Sequence, residues 1–136
     1  MTLVYRVELK RYTDDNIGVG MGVYQDSNIG IRLDESSDNP LPWEEVSIKV
    51  ELIRRFGTSY PLKKEYYCCF SSEEDLKRWF KGLYDKEVIK HALRWFPEIR
   101  INVYRSQDVI QGEYQALFKG EEAELTHSYP IDIYVT

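Results

Sequence analysis

The chain has 136 residues, a formal net charge of −5, and 43% hydrophobic and 14% aromatic residues, which suits one folded domain over residues 1–136 and argues against disorder. The acidic balance makes direct nucleic-acid binding an unfavoured reading, because phosphate affinity comes mostly from Lys and Arg. No apolar run approaches the roughly 20 residues of a membrane helix, and Met1–Lys10 lacks the apolar core of a signal peptide, so a soluble cytoplasmic protein is expected.

The first element is a strand over Leu3–Tyr12. Leu3, Tyr5, Val7 and Leu9 alternate against Arg6, Glu8 and Lys10, the pattern of a half-buried strand. Thr13-Asp14-Asp15-Asn16 ends it with turn residues. Asn16–Pro42 is irregular, with Gly18, Gly20, Gly22 and Gly30, and a short strand is expected around Ile29–Leu33. The glycines lack the spacing of a phosphate loop or a dinucleotide fold. A connection this long is usually functional, so it is the favoured ligand or partner surface.

Pro42 suits the first turn of a helix. Trp43, Val46, Val50 and Ile53 keep helical spacing, and Gly57 suits its end. Val46, Ile48, Val50 and Leu52 also alternate, which supports a strand as the rival reading. Gly57–Leu62 reads as a turn. The centre of the chain is Tyr66–Phe80, an aromatic strand running directly into a helix. Ser71 with Glu74 fits a capping box. Leu76, Trp79, Phe80 and Leu83 form one apolar face, and Gly82 is a stop or a joint to the next helix.

A second helix spans Asp85–Phe96 and ends at Pro97. Glu98–Arg105 is a strand, Ser106–Gly112 a turn, and Glu113–Lys119 a further strand expected to run antiparallel to it. Gly120–Leu125 reads as an acidic connector and Ile131–Val135 as a final strand. The fold class is therefore α+β: a mostly antiparallel sheet with two or three helices packed on one side.

In that order, several short stretches carry a resemblance: Tyr5-Arg6-Val7-Glu8, Gly22-Val23-Tyr24, Phe70-Ser71-Ser72 with Leu76 and Trp79-Phe80, Val103-Tyr104, and Gln115-Ala116-Leu117-Phe118. They resemble a group of small proteins common in phages and prophages. The resemblance implies a phage-type accessory protein in the host cytoplasm, and it supplies no activity.

Adjacent Cys68 and Cys69 point to opposite faces of a strand, so both read as reduced packing residues. His91 and His127 lack the spacing of a metal pair, and no metal is expected. Between residues 13 and 45 there are eight acids against one base. That excess, with eleven tyrosines, favours stoichiometric binding to a host protein with a basic surface. The expected contact residues are Tyr24, Asp34, Glu35, Asp38, Trp43, Glu44 and Glu45. An anti-CRISPR or other counter-defence inhibitor is the form this reading takes, and a homo-oligomer is compatible with it. Catalysis is disfavoured. The sharpest enzymatic alternative resembles an ADP-ribosyltransferase, with Arg6, Ser71 and Glu113 in the matching order and NAD as its only implied cofactor. A binder of a small nucleotide-like ligand is the third class.

Overall fold

The computed structural model describes residues 2–9, 22, 39–63, 65–121 and 123–135. Strand β1 (Thr2–Glu8) is followed by a short 3-10 turn (Pro42–Glu44) and helix α1 (Val46–Phe56). Strand β2 (Tyr66–Cys69) runs into helix α2 (Glu73–Trp79), and a 3-10 turn at Lys81–Tyr84 joins it to helix α3 (Lys86–Trp95). Strands β3 (Arg100–Ser106), β4 (Val109–Gln111), β5 (Ala116–Lys119) and β6 (Glu124–Pro130) follow, and a 3-10 turn spans Ile131–Tyr134. The α+β class holds, but the strands form two antiparallel three-stranded sheets. One has the order β1-β3-β6 and the other β2-β5-β4. A bridge between Tyr5 and Phe70 links them. None of these helices is long and apolar enough to cross a membrane.

Three apolar clusters define four layers. Ile48 and Leu52 of α1 pack on Tyr66, Ile110 and Leu117 of the second sheet. The opposite face of that sheet, with Cys69, Ala116 and Phe118, meets Val4 and Tyr104 of the first sheet. The far face of the first sheet, with Val7 and Ile101, lies on Leu76, Trp79, Leu83 and Ile89 from the α2–α3 segment. Both sheets are thus covered on both faces. The expected half-solvated β1 is corrected accordingly: Val4 is buried on the same side as Arg6 and Glu8, and Glu8 is fully buried.

Cys68 and Cys69 do fall on opposite sides of β2, in different clusters, and both are free thiols. Burial raises both pKa values above the usual range, Cys69's well above, as suits inert packing residues.

Helix α1 ends as its sequence suggests. Gly57 adopts φ 77°, and its N–H donates to the Ile53 carbonyl at 2.8 Å, a conformation that glycine reaches without Cβ strain. The start of α2 differs by one residue from the sequence expectation. Ser72, not Ser71, is the cap, accepting from the Asp75 N–H at 3.1 Å. Glu73, Glu74 and Asp75 fill the first turn and Lys77 and Arg78 the last, in line with the helix dipole. Ser72→Ala is expected to lower stability by about 1 kcal/mol, read as a shift in the urea midpoint. Ser71→Ala should leave the cap intact.

The C-terminal third departs furthest from the sequence expectations. The expected turn at Ser106–Gly112 contains β4. Strand β5 pairs with β2 and β4 instead of with β3. The acidic connector gives way to β6, an edge strand pairing with β3. The expected strand at Ile131–Val135 is a 3-10 turn. Pro130 offers no N–H to a ladder, and the turn after it drops Ile131 into the core. Tyr134 then donates to Glu73 on α2, and its ring lies tilted against that of Tyr84 with centres 5.6 Å apart.

Candidate functional site

Two polar centres tie the layers together, and one apolar surface is left outside them. The first centre lies between the two sheets. Arg6 stands opposite Asn102, and Val4 opposite Tyr104, in the β1–β3 register. Glu8 therefore shares its side of the sheet with Asn102 and Tyr104. One carboxylate oxygen accepts from Asn102 Nδ2 and Tyr104 OH, and the other accepts from Arg6 Nε at 2.8 Å. Arg6 Nη1 donates to the Cys68 carbonyl at 2.7 Å, and its guanidinium lies 5.4 Å from the Tyr67 ring centre. The chain of bonds continues outward: Ser128 Oγ donates to Asn102 Oδ1 at 2.7 Å, and Arg100 Nε donates to Ser128 Oγ at 2.6 Å. Three donors on one carboxylate and a guanidinium fixed across to β2 make a buried brace between the sheets.

Gly22 sits against this brace. It bridges Glu8, and a Cβ there would come within 2.8 Å of Arg6 Nη2. A side chain at 22 would therefore have to displace the tip of the Arg6 guanidinium.

The second centre anchors α1. Glu45 precedes the helix and is 4% exposed. Its carboxylate accepts from the Tyr114 N–H at 2.8 Å and from Gln115 Nε2 at 2.7 Å. Gln115 Nε2 also donates to the Pro40 carbonyl at 2.8 Å. Gly112 lies so close that a Cβ would fall 2.6 Å from both Glu45 Oε1 and Ile48 Cδ1. Further along, Arg55 Nη1 donates to Asp108 at 2.7 Å, and Tyr66 OH donates to the other Asp108 oxygen at 2.8 Å. Hydrogen bonds from Arg54 and Arg55 lower the Glu51 carboxyl pKa to about 2.

These anchors fix which face of α1 looks outward. Ile48 and Leu52 point into the core. Val46, Val50 and Ile53 stand on the other side, 68%, 58% and 45% exposed. Their i, i+4, i+7 spacing makes them a continuous ridge. The spacing that suggested a helix thus belongs, for these three, to its solvent face. Leu41, Tyr60 and Tyr114 are also exposed on segments bordering the same helix. Trp43 is half-buried, edge-on to Tyr60 with ring centres 4.9 Å apart.

The expected contact residues fall in different places. Tyr24, Asp34, Glu35 and Asp38 lie outside the described residues. Glu44 is exposed and accepts from the Leu41 N–H at 2.9 Å. Glu45 is not a surface acid, because its carboxylate is used to seat the loop at Gly112–Gln115. Of that set, Trp43 and Glu44 remain beside the apolar ridge.

Each of the three residues of the transferase-like alternative has a hydrogen-bond partner. Arg6 belongs to the inter-sheet brace. Ser71 donates to Gln111. Glu113 accepts from Ser47 on α1 at 2.7 Å. His91 lies on α3 near Trp95, and His127 stacks on Tyr129 along β6. Among the described residues, no group of three His, Cys, Asp or Glu is placed to hold a metal ion.

Sequence reasoning missed the Glu8–Asn102–Tyr104 brace and the outward ridge. The signal for the brace was a Glu within a strand facing an Asn and a Tyr, visible only once the register is known. The signal for the ridge was a second apolar set on the same helix, Ile48 and Leu52, competing for the inward face.

No curated protein and no solved structure matches the chain. A family model described as bacteriophage T4 Y00F protein matches residues 1–132. The resemblance to small phage proteins is therefore one of membership: the chain belongs to the bacteriophage T4 Y00F protein family.

Proposed function

We propose that this phage protein acts by stoichiometric association with a protein of the bacterial host, occupying its target as an inhibitor does. The observation that carries this reading is the ridge of Val46, Val50 and Ile53 held outward on an anchored helix. Three β-branched aliphatic side chains on one solvent face add nothing to this core and are a costly surface to leave in water. Leu41, Tyr60 and Tyr114 widen the apolar surface around them. The rigidity of α1 also favours docking, because little ordering entropy remains to be lost on binding. Membership of a phage family supports a setting in which host proteins are the partners met.

The test is a comparison of tagged wild-type protein with the Val46→Ser/Val50→Ser/Ile53→Ser chain in host lysate, with intact masses of bait and prey. Exposed positions tolerate serine, so circular dichroism and Tm should stay close to wild type. The expected result is a prey of unchanged mass held in about equal amount by the wild type and lost by the variant. Equal capture by both chains, or a prey carrying an added ADP-ribose, overturns the reading.

A further inference from the structure

We infer that the partner segment received by α1 is an amphipathic helix whose apolar ridge is bordered by Asp and Glu side chains. This inference rests on α1 being the docking surface. The shape comes first. The ridge from Val46 to Ile53 covers two helical turns, about 10 Å at 1.5 Å per residue. Its backbone hydrogen bonds are internal, so it offers no strand edge to an extended peptide. A row of side chains at i, i+4 and i+7 interlocks with the matching groove of a second helix.

The charge beside the ridge then selects the partner. On the helical wheel Lys49 borders one side of the Val46–Val50–Ile53 row and Arg54 the other. Lys63 adds to the Lys49 side, its ammonium lying 5.5 Å from the centre of the Phe56 ring. Lys49 and Lys63 take part in no ion pair among the described residues, and Arg54 is largely exposed although bonded to Glu51. Glu44 and Glu113 are exposed acids at the N-terminal end of the row, and Glu51 pairs with Arg54 and Arg55 behind the Arg54 side. Over Lys49–Arg54 a helix lying along the ridge therefore runs between cations on both sides, and acidic flanks complement them there.

A second copy of this chain is a poorer occupant. An antiparallel two-fold pairing centred on Val50 sets Lys49 of one copy against Lys49 of the other. A parallel pairing sets Lys49 against Arg54. Both oppose like charges beside a small apolar contact.

The probes are two synthetic peptides of three heptads each, with Leu at the apolar positions and either Glu or Lys at all flanking ones. They are titrated into isotope-labelled full-length protein and followed by amide chemical shifts. The Glu peptide should bind, with shifts centred on residues 46–56, and should weaken severalfold between ~50 and ~500 mM salt. The Lys peptide should bind at least tenfold more weakly. Lys49→Glu/Arg54→Glu should invert the preference. Lys49→Ala/Arg54→Ala, which keeps helix propensity, should lose the Glu peptide at least about fivefold. Equal binding of the two peptides, shifts centred on another element, or a wild-type dimer formed through α1 overturns the inference. If the Ala pair still captures the host prey while the serine chain does not, the acid-flanked partner is wrong and the docking surface stands. If the serine chain captures it too, the docking surface itself falls.

Discussion

Glu8→Ala should lower folding stability by about 3–5 kcal/mol, the range for removing one member of a buried ion pair. The carboxylate is fully buried and receives Arg6, Asn102 and Tyr104. Its loss takes the acceptor from three donors at once, in a place where water does not replace it cheaply. With a urea slope of about 1–3 kcal/mol/M, the midpoint should fall by roughly 2 M. Glu8→Gln should fall in between, because the amide keeps one oxygen for Asn102 and Tyr104 and turns a second donor toward Arg6. Arg6→Met combined with Glu8→Leu should recover much of the loss, since both charges are then gone. A midpoint shift under about 0.5 M for Glu8→Ala would mean that this brace contributes little.

Phe118→Ala should cost a similar amount, about 3–5 kcal/mol, through the cavity it leaves. Phe118 has no exposed surface, stacks on Tyr104 with ring centres 5.5 Å apart, and meets Tyr67 at 5.9 Å. It is one of the apolar contacts between the two sheets, beside the polar contact that Arg6 makes with the Cys68 carbonyl. The expected loss in Tm is on the order of 10–20 °C. The near-ultraviolet dichroism of the tyrosines should weaken before the far-ultraviolet signal does. Phe118→Leu should lose much less, because most of the volume is kept. If Phe118→Ala melts within a few degrees of wild type, the sheets are not joined through this ring.

The sequence was most legible where the local signals agreed. Helix α1 has a period of 3.6 and a terminal Gly57. Segments α2 and α3 have acidic starts and apolar faces that the structure buries as expected. β1 and β3 alternate clearly enough to be placed. The faces were harder. Alternation is usually read as one wet and one dry side, but both sheets here are covered twice, so Arg6 and Glu8 look outward in the sequence and lie inside. Their partners Asn102 and Tyr104 are far along the chain, and nothing local announces the register. On α1 two apolar sets compete, and only the positions of Glu45, Ser47 and Arg55 against the Asp108–Gln115 stretch decide which set faces the core. β6 was hidden by its composition. Glu124-Leu125-Thr126-His127 is exposed along an edge, and an edge strand needs no apolar pattern to pair on one side.

The pairing of β1 with β3 has a consequence for how the chain is made. Glu8 meets a partner 96 positions later in Tyr104. The β1–β3 ladder therefore forms only after Arg100–Ser106 has been synthesised, whereas Gly22 and Phe70, which bridge Glu8 and Tyr5, come earlier. Closing so long a loop is slow, and it must be done before its contacts reward it. The β1–β3 pairing therefore waits on the C-terminal half of the chain, and β6, which completes the same sheet on the other side of β3, follows later still.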